Sequence, residues 1–124
     1  MPQLILQYTA NIDQEISFQD LFVKLHNILA DIGGIKIDNC KSRAFKLDNY
    51  YIGRGETSNA FINLDIHFLE GRPQTLKKEI GSQILEALKE IYSQSISELN
   101  LQITVEIKDI ERDVYFKYPP GSLK

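Results

Sequence analysis

The sequence predicts an α+β fold made of a doubled β-α-β unit: a four-stranded mixed sheet with two helices on one face, in a single domain over residues 1–124. Three observations predict it. Segments of period-two and of three- and four-residue apolar recurrence follow one another in the order β-α-β-β-α-β. Each helical segment has only one apolar stripe, so both helices need a sheet face to cover it. The two halves, about 2–56 and 57–124, align at a common offset that sets Pro2 against Ala60, Phe18 against Leu76 and Arg43 against Leu101.

The first strand runs from Pro2 to Tyr8, with Leu4, Leu6 and Tyr8 alternating against Gln3, Ile5 and Gln7. Ser17 then caps a helix in which Phe18, Leu21, Phe22, Leu25, Ile28, Leu29 and Ile32 form a stripe, Asp20 suits the first turn, and Gly33-Gly34 supplies the stop. A second strand is expected over residues 42–52, with Arg43, Phe45 and Leu47 on one face, before the turn at Gly53-Arg54-Gly55-Glu56. The third, residues 60–69, directs Ala60, Ile62, Leu64, Ile66 and Phe68 inward and Asn63, Asp65 and His67 outward. Gly71-Arg72-Pro73 breaks it. A long helix is expected over residues 75–95 from the stripe Leu76, Ile80, Ile84, Ala87, Leu88 and Ile91, then a strand over 101–107 and an extended tail over 114–118 before Pro119-Pro120-Gly121. With both helices on one side, the other sheet face, carrying Ile5, Phe61 and Leu69, is expected to meet neighbouring subunits.

Composition excludes several function classes. With 124 residues and 43% hydrophobic content the chain can bury one core. Lys and Arg number 14 against 17 Asp and Glu, a net charge of −3, which lacks the electrostatic footprint of a nucleic-acid binder. No apolar run reaches the ~20 residues of a membrane span. The single cysteine and the absence of a secretory signal pattern point to a cytoplasmic chain.

Two constellations could carry chemistry. Pro2 directly follows Met1, and if Met1 is removed, Pro2 becomes a secondary amine at the chain terminus, a rigid base once uncharged. The rule that proline is tolerated at a strand start explains the same residue without chemistry, so both readings stand. The cations Lys41, Arg43 and Arg72 form the second set. Arg43 is the permanent cation that could disfavour protonation of Pro2, and arginine suits bidentate capture of a carboxylate, although alternating cations on a strand also make an ordinary solvated face. His26, His67 and Cys40 lack the companions of a metal or nucleophile motif, so no metal is expected.

Met1-Pro2 at the head of a strand, the doubled unit, KSRAF at 41–45, AFINLDIHFLEGR at 60–72 and YFK at 115–117 together resemble the 5-carboxymethyl-2-hydroxymuconate isomerases of the tautomerase superfamily. The resemblance runs nearly end to end. It implies a homotrimer with active sites between subunits and an isomerase that moves a double bond in an unsaturated 2-hydroxy or 2-oxo acid of aromatic catabolism, with no cofactor. It implies Pro2 and Arg43 as catalytic residues, and Lys41 and Arg72 as binding residues for a small unsaturated di- or tricarboxylate. Lys41 stands where the family has a further arginine, keeping the charge but losing the planar fork. A non-catalytic trimeric binding or assembly module is the alternative, and a ferredoxin-like domain with an antiparallel sheet shares the element order.

Overall fold

The computed structural model describes residues 2–120; Met1, whose removal the Pro2 reading needs, and Gly121 lie outside the described residues. Strand β1 (Gln3–Thr9) leads to helix α1 (Phe18–Gly33), a 3-10 turn at Ile37–Asn39, and β2 (Lys41–Leu47). The second half repeats the plan with β3 (Asn59–Leu69), α2 (Gln74–Ile91), a short α3 (Ser93–Glu98) and β4 (Asn100–Ile110). The sheet order is β2-β1-β3-β4, with β1 parallel to β2, β3 parallel to β4, and β1 antiparallel to β3. Two parallel β-α-β halves therefore meet along β1 and β3, and the sheet is not the antiparallel one of the ferredoxin-like alternative.

Period-two alternation fixes which side chains face the helices. Leu4 and Leu6 of β1 and Ala60, Ile62, Leu64, Ile66 and Phe68 of β3 are all fully buried there, against Leu21, Leu25 and Leu29 of α1 and Ile80, Ile84 and Leu88 of α2. Each aliphatic side chain taken fully out of water contributes ~1.5–3 kcal/mol, so one core shared by the two halves holds them together. Helix α1 begins where the Ser17 Oγ accepts the Asp20 N–H at 3.3 Å. It ends where Gly34, at φ 61°, gives its N–H to the Ala30 carbonyl and Ile35 reaches back to that of Leu29. A β-carbon on Gly34 would meet no atom within 4 Å, so its glycine is required by backbone conformation alone.

The structure corrects several boundaries. Strand β2 stops at Leu47, not Ile52, because the Leu47 carbonyl accepts the Ala10 N–H and the chain then turns away at Asp48 and Asn49. The helix expected to reach Ser95 breaks at Tyr92; Gln14 sits in the break, donating to the Ile91 carbonyl and accepting from the N–H and hydroxyl of Ser95. Strand β4 extends to Ile110 because its parallel partner β3 continues to Leu69. The expected extended tail holds a 3-10 turn at Arg112–Val114 and no strand, with Phe116 and Tyr118 about nine-tenths exposed. Ile5 and Phe61 are half-buried on the open face as alternation requires, whereas Leu69 is fully buried near the segment in which Arg112 bonds Glu70.

Candidate active site

Pro2 is buried, and its carbonyl accepts the Lys41 N–H at 3.2 Å, which ties the head of β1 to the start of β2. The missing N–H of proline costs nothing at this position, just before the first ladder residue. By alternation Pro2 shares the helix-side face of Leu4. Gln3 pairs with Lys41 on one side and with His67 on the other, so the next rung back sets Pro2 between Cys40 and Phe68. The half-buried Cys40 thiol points to the Lys36 carbonyl at 3.7 Å, and burial pushes its pKa up, away from reactivity.

Arg72 reaches this same end of the sheet. Its guanidinium stacks over the Phe68 ring, 5.1 Å from the centroid, and Nη1 donates to the Leu69 carbonyl at 3.4 Å. Gly71, at φ 116°, makes the turn that folds Arg72 back over β3. Burial, and then the nearby cation of Arg112, push the Arg72 pKa down from its ordinary value. A guanidinium stays charged regardless, so the same forces favour an anion beside it. Arg112 is held by Glu70, donating its backbone N–H to the carboxylate at 2.8 Å and Nε to the carbonyl at 3.1 Å.

Lys41 and Arg43 are placed differently. Their partners across β1 are Gln3 and Ile5, so both lie on the open face of the sheet, opposite to Pro2. Arg43 donates through Nη1 to the Gln3 side chain. The open face carries both signs of charge, with Lys108 and Glu106 on β4 and Asp65 on β3 joining Lys41 and Arg43; Lys108 approaches Asp65 at 3.6 Å. Within one chain Arg72 thus stacks on Phe68, the neighbour of Pro2 across the sheet, while Arg43 lies on the sheet's other side.

Sequence reasoning passed over Phe68 and Gln3, although alternation placed Phe68 inward at the end of β3 and a resident arginine four residues on was in view. His26 is bonded to the Ser42 hydroxyl at 2.7 Å through Nε2, and burial holds its pKa below the ordinary histidine value. No three His, Cys, Asp or Glu residues stand together as a metal site among the described residues. No helix among them is long and apolar enough to cross a membrane.

This fold is shared with solved structures of fused 4-OT, one an asymmetric trimer (TM-score 0.69, 19% identity, 95% of this chain and 94% of that one) and one a symmetric trimer (TM-score 0.72, 14% identity, 98% and 95%). A doubled β-α-β sheet headed by a buried proline is a tautomerase-fold protein. The sequence model of the 5-carboxymethyl-2-hydroxymuconate isomerase family matches residues 2–120, and the chain belongs to that isomerase family. It is 23% identical over 117 residues to the 5-carboxymethyl-2-hydroxymuconate Delta-isomerase of Escherichia coli, across 94% of this chain and 93% of that protein. It is also similar to the crystal structure of a 5-carboxymethyl-2-hydroxymuconate isomerase from Deinococcus radiodurans, with TM-score 0.86, 27% identity, and coverage of 94% and 87%.

Proposed function

We propose that this chain, with Met1 removed, is a 5-carboxymethyl-2-hydroxymuconate Delta-isomerase of aromatic catabolism in which the Pro2 nitrogen is the base. The observation that carries the reading is the corner itself: a buried proline at the strand head, one rung from an aromatic ring that holds an arginine. Neutral Pro2 takes the proton of the 2-hydroxyl from the dienol, and the electron pair left on oxygen spreads through a dienolate toward the far carbon. The protonated amine then returns the proton at the far carbon, so the double bond migrates. Fixed cations stabilise the oxygen-centred charge where water is excluded. Proton, electrons and carbon skeleton balance within the substrate, so the step calls for no cofactor.

The base must be uncharged near pH 7, whereas an ordinary terminal amine titrates at about 7.7–8.0. Burial of Pro2 disfavours its cation, as does any guanidinium brought to it. Arg72 supplies one within the chain and takes the substrate carboxylate. Arg43 acts at Pro2 if a neighbouring subunit presents it, so we assign it to the site across the interface of a homotrimer. The half-buried Ile5 and Phe61, the two-signed open face and the exposed apolar tail support such an assembly. Lys41, exposed on that face, offers a charge without a bidentate fork to the same interface.

Ultraviolet spectroscopy tests the reading directly. Purified protein is expected to shift the absorbance of 5-carboxymethyl-2-hydroxymuconate as conjugation changes, with kcat in the range of about 1–10³ s⁻¹ usual for enzymes. No absorbance change on this or simpler enol acids, from protein whose intact mass shows Met1 removed, would leave a non-catalytic assembly. Arg72→Lys separates binding from chemistry. It keeps the charge but loses the flat stack on Phe68 and the fork, so KM is expected to rise about tenfold with kcat nearly unchanged. Steady-state kinetics in which kcat falls and KM does not would move Arg72 from binding to charge stabilisation.

A further inference from the structure

The corner that holds Arg72 contains a second guanidinium, which the proton shift does not use. Strands β3 and β4 run parallel and end together, with Leu69 opposite Ile110, and the Glu70 N–H then donates to the Ile110 carbonyl at 2.9 Å. Arg72 follows the first strand and Arg112 the second, so both arrive at one end of the sheet. Two bonds to Glu70 fix Arg112: its backbone N–H goes to the carboxylate and its Nε to the neutral carbonyl. A β-carbon on Gly71 would stand 3.8 Å from Arg112 Nη2, so this guanidinium lies against the bare backbone of the turn. Arg72, the next residue, folds back over Phe68.

The two cations act on each other. Burial first and the charge of Arg112 second depress the Arg72 pKa, and an anion set between two such groups relieves their repulsion. Asp109, opposite Phe68 on β4, is held by Lys77 at 3.0 Å, and Glu70 directs one carboxylate oxygen to the Arg112 N–H. Arg72 is half-buried and Arg112 exposed, so the pair leads from the Pro2 corner out to solvent.

Taking the chain as a 5-carboxymethyl-2-hydroxymuconate isomerase, on which this assignment rests, we propose that Arg72 and Arg112 form a two-guanidinium subsite for the two carboxylates at one end of the substrate. The far carbon, the one that receives the proton from Pro2, carries both a chain-end carboxylate and the carboxymethyl branch. Two negative charges a few bonds apart need two forks. Arg72, stacked on the neighbour of Pro2, takes the chain-end carboxylate, and Arg112, farther out, takes the branch. Arg112 is therefore a specificity-determining residue that favours the branched tricarboxylate over an unbranched dicarboxylate. Glu70 and Asp113, the next residue of the turn, oppose the second anion and limit the gain.

Steady-state kinetics on the assembled protein compare 5-carboxymethyl-2-hydroxymuconate with 2-hydroxymuconate, which lacks the branch. Arg112→Gln is expected to lower the preference for the branched substrate, the ratio of the two kcat/KM values, by about tenfold, and to do so through KM. Arg112→Lys keeps the charge and is expected to lower that ratio by only about threefold. An unchanged ratio in Arg112→Gln overturns the proposal, as does an equal loss on both substrates or a fall confined to kcat, either of which assigns Arg112 a structural part. Calorimetric titration with itaconate, which has no enol but bears the same pair of carboxylates on one carbon, separates this failure from failure of the isomerase reading. The parent is expected to bind itaconate with Kd of about 1 mM, and Arg112→Gln about tenfold more weakly. That outcome supports the subsite even where neither muconate turns over. Equal affinity in Arg112→Gln, or no binding by the parent, overturns it even where turnover is normal.

Discussion

Replacing Pro2 by alanine is expected to lower kcat/KM for double-bond migration by about 10²–10⁴, the usual worth of a positioned general base, with the fold and assembly retained. The backbone cost is small: the Pro2 carbonyl accepts the Lys41 N–H and alanine supplies the same carbonyl, so only the packing of the buried ring is lost. What alanine loses is the ring, which fixes the nitrogen relative to Cα and gives a secondary amine in place of a freely rotating primary one. The residual amine explains why the loss is expected to be large but not total. The measurement pairs steady-state kinetics with thermal unfolding and intact mass on the same sample. A kcat/KM within threefold of the parent, from protein with an unblocked terminus, means that another group takes the proton. Loss of activity together with loss of the folded assembly would instead assign Pro2 the structural part that its place at the strand head already suggests.

Much of this architecture was legible because it rests on short-range periodicity. The alternation of residues 60–68 and the stripes from Phe18 to Ile32 and from Leu76 to Ile91 leave little choice of period, and the Gly33-Gly34 pair needs no tertiary information to read as a stop. The errors lie where tertiary contact overrides local pattern. Tyr92 continues the apolar stripe of α2 and Ser95 falls on the same face, so nothing local marks the break into which Gln14 inserts from far away in the chain. The end of β2 is set by a hydrogen bond from Ala10, and that of β4 by the length of β3.

The candidate residues could be named from the sequence, whereas their geometry could not. Residue type and chain position brought out Pro2, Arg43, Lys41 and Arg72. Which of them meet depends on strand register, since a shift of one residue exchanges the two faces of a sheet. Pairing of Gln3 with Lys41 puts Lys41 and Arg43 on the face that Pro2 does not share, while the backward turn at Gly71 brings Arg72 onto Phe68 beside it. Neither fact could be read from spacing along the chain.

That division of faces leads to a second large effect. Arg43→Ala is expected to lower kcat/KM by about 10²–10³, as removal of one preorganised donor to a developing oxyanion does. Because Arg43 is assigned to the Pro2 of a neighbour, its loss should be repaired by a subunit that lacks the base instead. Pro2→Ala subunits carry an intact Arg43, and Arg43→Ala subunits carry an intact Pro2. Unfolded together in equal amounts and refolded, on the proposed homotrimer they would form mixed trimers in which half the sites keep Pro2 and half of those meet an intact neighbouring Arg43. Random mixing then restores about one quarter of the parent activity. A site contained within one chain predicts no recovery at all, since each subunit lacks one of its own two residues. Mixed trimers that stay as inactive as the two variants would therefore return Arg43 to its own chain, where it would have to act on the proline from across the sheet, or would confine it to holding Gln3 at the interface. The parent refolded alone in parallel separates poor refolding from failed complementation.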